Sequence, residues 1–193
     1  MPRLFNKFIH NFAIWIDETR WSTMLHESYY MYNWVESTHV LTLMLSLGLL
    51  FLIDLRMLGL ALPDVPASRI ARHLNLPMLV GFTVMMVTGL LLFYAVPVRS
   101  TQSIWLRIKL VLMVGLLINA VLFHRRMAAA GADWDSAPRA PRNLRIGAVF
   151  SLAGWSVVVV CGRFIAYDWF DCLYLDPGLM SALAGCVDGQ TRF

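Results

Sequence analysis

Charge is what this sequence has least of. Only 15% of its 193 residues are Asp, Glu, Lys or Arg, against about 25% in a soluble globular domain. Residues 74–98 carry no acidic or basic side chain at all. A chain so poor in charge cannot wet its whole surface, and the surplus apolar mass must meet lipid. Catalytic signatures are missing too. There is no nucleophile elbow, P-loop, HExxH or CxxC, so hydrolysis and phosphoryl transfer have no support. No basic recognition helix or zinc spacing occurs, and the net charge of +4 belongs to loops, not to a nucleic-acid surface. The first residues, "MPRLFNKFIHNFAIWIDETRW", lack a clean apolar core and a small-residue cleavage site, so they do not read as a signal peptide.

What is there is apolar. Hydrophobic residues make up 59% of the chain, and the mean hydropathy is +0.63. Four stretches stand out: residues 34–58, 74–98, 104–123 and 146–167. Each is near the roughly 20 residues that cross a hydrocarbon core of about 30 Å. Lipid obliges the backbone to bond to itself, so each is a helix. Pro63 and Pro66, Pro97, and Pro138 and Pro141 mark the breaks between them. The expected fold is an all-α integral membrane protein with a four-transmembrane-helix bundle over residues 33–168. Residues 1–32 are expected to form an N-terminal amphipathic interfacial helix, rich in Phe5, Phe8, Phe12, Trp15 and Trp21. A plain aromatic belt is the other reading of that segment. Residues 169–193 form a short periplasmic C-terminal tail.

Loop charges set the orientation. The first connection holds Arg56, Arg69 and Arg72, and the third holds Arg125, Arg126, Arg139, Arg142 and Arg145. The positive-inside rule puts both in the cytoplasm. Both termini are then periplasmic, in a bacterial inner (plasma) membrane. Cys172 and Cys186 fall in the tail, where a disulfide can persist. They either pair or remain two free thiols. Cys161 lies in the fourth span and reads as packing.

Ionisable groups inside spans are costly, and each is a functional candidate. Depth along the helices, at about 1.5 Å per residue, sorts them into two layers. The outer layer holds Glu36 and His39, Lys109, Arg163, Tyr94 and Tyr167, with Thr42 and Ser46 continuing the His39 face into the bundle. The inner layer holds His73 and His124. His39 and His124 differ in depth by roughly 20 Å and cannot share one iron. Imidazole is a good axial ligand for haem, and propionates want cations. The outer layer therefore reads as His39 on haem b iron, with Lys109 and Arg163 on the propionates, and with either His26 as a sixth ligand or a five-coordinate iron. The inner layer reads as a His73–His124 pair. Against this, His73 and His124 stand beside arginines at a membrane edge, where histidine is often only an interfacial polar residue. His39 could equally bond Glu36 or a tyrosine.

Other chemistries fit less of the pattern. Met24, His26, Met31 and His39 offer copper ligands, but no tight Met or His repeat is present. Glu36-x-x-His39 has di-iron spacing, and that site needs a second such motif. The outer cations could hold a quinone. Asp54 and Arg56 read as anchors at the inner end of the first span. Gly48, Gly81, Gly89, Gly115, Gly147 and Gly154 allow close helix approach, and Asn119 and Thr88 can bond across helices.

The stretches "ESTHVLTLMLSLGLLFLIDLRMLGL", "LVGFTVMMVTGLLLF", "WLRIKLVLMVGLLINAVLFHRR" and "GRFIAYDW" resemble a family of small bacterial four-helix membrane proteins of unassigned function. That family is loosely likened to four-helix b-type cytochromes. The likeness covers residues 36–169. It implies a transmembrane electron-carrying subunit that exchanges electrons with a quinol or a periplasmic partner. Cytochromes of that kind set histidine pairs on facing helices, whereas the fourth span here has none. The expected function is a membrane electron-transfer subunit, not catalytic alone, with other membrane or periplasmic subunits as partners. The alternatives are a cofactor-free integral subunit that anchors or assembles a larger complex, and a copper-handling membrane protein.

Overall fold

The computed structural model describes residues 2–129, 134–135, 137–167, 172, 175–176 and 178–186. Among them, every regular element is an α-helix. Four helices are long and apolar enough to cross a membrane: α3 (Tyr29–Leu58), α4 (Ala67–Ala95), α6 (Ile104–Ala129) and α7 (Arg142–Ala166). The chain is thus a multi-pass membrane protein by length and composition. Short helices complete it: α1 (Pro2–Asp17), α2 (Arg20–Glu27), α5 (Pro97–Thr101) and α8 (Leu179–Ala184).

The helices overrun the apolar stretches, because hydropathy marks only the lipid-facing length. Backbone hydrogen bonding continues until something stops it. α3 therefore begins at Tyr29 after Ser28, α4 just after Pro66, and α7 just after Pro141. Pro77 lies inside α4 and cannot donate to the carbonyl of His73. The N-terminal segment is two helices, not one. Thr19 breaks it by capping α2: its backbone is extended, and its hydroxyl accepts the Ser22 N–H at 3.4 Å. Cys172 and Cys186 are joined by a disulfide, which resolves the two readings of the tail. Cys161 is a buried free thiol.

The chain divides into two compact units whose limits fall within the long helices. One, here the termini unit, comprises Met1–Thr38, Val87–Val111 and Val159–Phe193. In it α1 packs on α5 and α8. The other, the loop unit, comprises His39–Met86 and Leu112–Val158. Its core gathers Ile53 and Met57 from α3, Ala67 and Ile70 from α4, and Leu144 and Ala148 from α7, with Ala140. Phe123 and Met127 of α6 pack against it.

Small residues set the helix approaches in the loop unit. A Cβ on Gly154 would lie 2.7 Å from Leu116 Cδ2, and one on Gly81 would run into the Ser46 hydroxyl. Gly48 departs from expectation, since it meets nothing within 4 Å. α3 ends in the left-handed turn of Gly59 (φ 74°). There Gly59 N–H bonds Arg56 O at 3.0 Å and Leu60 N–H bonds Leu55 O at 2.9 Å, a Schellman close.

Candidate functional site

The loop unit hides its polar groups in its interior. Asp54 of α3 is 3% exposed and Ser46 is fully buried. The Ser151 hydroxyl of α7, also buried, hydrogen-bonds the Asp54 carboxyl. Asp54 Oδ2 and Ser46 Oγ have no partner. Two residues on, Arg56 is 1% exposed and points at the connections. Its Nε donates to Val65 O at 2.7 Å, and its Nη2 donates to Ala137 O at 3.0 Å and Asp135 O at 3.4 Å. Nη1 reaches Pro138 O at 3.5 Å. One guanidinium thus ties both interhelical connections of this unit to the end of α3.

Asp135 completes the tie. It accepts from the Ser68 N–H at 2.7 Å and from the Ser68 hydroxyl. Partial burial pushes its carboxyl up. The two bonds from Ser68, with Arg56 and Arg72 nearby, outweigh that and hold it below the ordinary carboxylate range. Both side chains read as interfacial anchors are instead buried: Arg56 ties the connections together from within, and Asp54 faces inward.

The histidines of this unit lie elsewhere. His73 and His124 are exposed. The Nδ1 of each bonds the carbonyl one turn back, Arg69 O and Ala120 O, both at 2.9 Å. A carbonyl can only accept, so Nδ1 carries a proton, and in the neutral ring Nε2 is the nitrogen with the lone pair. His39 is half-buried, and the Thr42 hydroxyl donates to its carbonyl at 3.1 Å. Ser46 faces inward as expected. Glu36, in contrast, is exposed. Asn119 Nδ2 does bond across helices, to Gly147 O at 3.1 Å.

The termini unit holds the remaining candidates. Lys109 is half-buried, its ammonium 3.5 Å from where a Cβ on Gly162 would stand. Arg163 is exposed. Its Nη2 donates to the Tyr167 hydroxyl at 2.6 Å, and its guanidinium stands 4.7 Å from that ring's centre. Tyr94 hydroxyl pairs with Thr19 Oγ1 at 2.6 Å. His26 is exposed near the end of α2. An unforeseen bridge runs through Asn6, which is 4% exposed. Its Nδ2 donates to Ala182 O at 3.0 Å, and its Oδ1 accepts from Arg107 Nη2 at 3.1 Å. Gln102 Nε2 reaches His10 Nδ1 at 3.0 Å. Among the described residues, no three His, Cys, Asp or Glu side chains gather as a metal site.

Sequence reasoning missed Asp54 as an interior group, and Asn6 and Ser68 altogether. One signal was present: Asp54 falls at the helical spacing of the buried positions Ser46, Leu47, Ile53 and Met57.

A family model described as "Family of unknown function (DUF6644)" matches residues 15–168. No curated protein matches the chain, and no solved structure does.

Proposed function

The chain belongs to this family of unknown function, and from that premise we propose that it is a membrane electron-transfer subunit binding haem b through surface histidine. One observation carries the reading. His73 and His124 each hold Nδ1–H on a backbone carbonyl, a bond that orients the imidazole and leaves Nε2 to face a metal. Both rings look outward, so the iron would sit at the helix surface, between this chain and a partner subunit or a second copy. Haem supplies one-electron chemistry when bound, and this chain's part is to present and orient the imidazoles. A quinone pool or a periplasmic protein is the expected exchange partner.

The second reading is a cofactor-free integral subunit that anchors a larger complex. The filled interior of the loop unit favours it. Asp54, Ser46 and Ser151 there meet Ile53, Met57, Leu144 and Ala148, with no buried histidine among the described residues. Placement in a bacterial inner membrane with periplasmic termini belongs to both readings. Two features support it: the arginine-rich connections and the Cys172–Cys186 bond, which an oxidising compartment preserves. Exposed Phe5, Phe8, Phe12 and Trp15 on α1 suit the lipid interface of that face.

A reduced-minus-oxidised visible spectrum of detergent-purified protein, made with haem supplied, tests the choice. Haem b bands that vanish in His73→Ala or His124→Ala are expected. Flat spectra from folded protein, alone and with its co-purifying partners, leave the anchoring reading.

A further inference from the structure

We propose that Asp54 is a proton-binding site within the loop unit, held there as a neutral carboxylic acid. Asp54 is 97% out of contact with solvent and lipid, being 3% exposed, and an isolated carboxylate so placed is prohibitively costly. A cation would relieve that cost, and none faces it. On its own helix, Arg56 spends its donors on four loop carbonyls. On α4, Arg69, Arg72 and His73 are exposed, His73 is turned to Arg69 O, and residues 74–95 carry no acid or base. On α6, none occurs between Lys109 and His124, His124 is exposed and turned to Ala120 O, and Arg125 and Arg126 are exposed, the latter bonded to Asn143 O. On α7, none occurs between Arg145 and Arg163, and Arg142 and Arg145 are exposed.

What does meet Asp54 is one neutral hydroxyl, that of Ser151. Its other oxygen, Oδ2, is buried with no partner. An unpartnered oxygen is tolerable on a neutral acid and far costlier on an anion. A metal cation fits poorly. Calcium and magnesium want six or more oxygens, and the next unpartnered hydroxyl, Ser46, stands two turns away along α3, about 12 Å. The ligand that one carboxyl and one hydroxyl can hold is a proton. It sits on Asp54 and leaves as the acid ionises, with no other bond made or broken.

Infrared spectroscopy of the full chain in lipid vesicles, with isotope-labelled aspartate, tests this directly. At neutral pH we expect a protonated-carboxyl C=O band that shifts in heavy water and is absent in Asp54→Asn. Raising the pH should replace it with carboxylate bands. Ser151→Ala should keep the band but move it, as the hydrogen bond is lost, which covers the case where Asp54→Asn does not fold. The proposal is overturned if Asp54 shows only carboxylate bands at neutral pH. It is equally overturned if sodium, magnesium or calcium at fixed pH abolishes the acid band, which would make the site a metal site.

Discussion

At the scale of single residues, Arg56 and Asp135 carry the connections of the loop unit. Replacing Arg56 by Ala strands up to four carbonyls, each costing about 1–3 kcal/mol if left unmet and dry. We expect a loss on the order of 3 kcal/mol, read as a lower unfolding midpoint in detergent. Arg56→Lys should rescue little, since an ammonium lacks the planar fork. An unchanged midpoint in Arg56→Ala would remove the anchoring role. Asp135 makes a pH prediction. Its folded pKa lies below its unfolded value, near 3.9. Its contribution is therefore complete above that value and is lost as pH falls through the lower, folded pKa. Ser68→Ala, which removes the hydroxyl bond, should narrow this acid-dependent loss. Identical acid profiles for Ser68→Ala and the parent chain would contradict the assignment.

At the scale of elements, two glycines should respond in opposite directions to one added methyl. Gly59 sits at φ 74°, and a Cβ there would lie 2.7 Å from Pro138 O. Gly59→Ala meets both a left-handed penalty of about 1–2 kcal/mol and a backbone clash. Gly48 is mid-helix in open space, where Ala is favoured by about 1 kcal/mol. Thermal melts of the two variants should move apart, and shifts of the same sign would refute the pairing. Both positions are glycines flanked by leucines in the sequence, Leu47 and Leu49 at one, Leu58 and Leu60 at the other. Helix spacing can say that a glycine permits close approach, but not whether a neighbour takes the offer. Likewise, the capping role of Thr19 is an ordinary helix-start signal, yet it was hidden inside an aromatic segment that reads as one amphipathic piece.

At the scale of the whole molecule, the proposed orientation, with four candidate spans and both termini outside, makes a labelling prediction. In intact cells, an impermeant maleimide should leave the Cys172–Cys186 pair unlabelled until it is reduced. In Cys172→Ser it should label Cys186 from outside. A cysteine placed at exposed Arg139 should react only after the membrane is opened. The reverse pattern would invert the orientation drawn from loop arginines.

The sequence by itself determined that this chain carries four helices long and apolar enough to cross a membrane, and which prolines stand between them. Those follow from composition and local sterics, which need no knowledge of neighbours. Tertiary structure decided which polar groups face inward. Asp54 and Arg56 sit two residues apart at one helix end. They differ in fate because successive side chains of a helix turn about 100° per residue, and only the packed neighbours say what lies in each direction. Asp54 turns to Ser151 on α7, while Arg56 turns to carbonyls from two connections, one nine residues on and the other 81. The histidines, the most eye-catching residues in the sequence, proved to point outward at His73 and His124. That is a property of helix rotation set by the whole packing, and no spacing within a single span can reveal it.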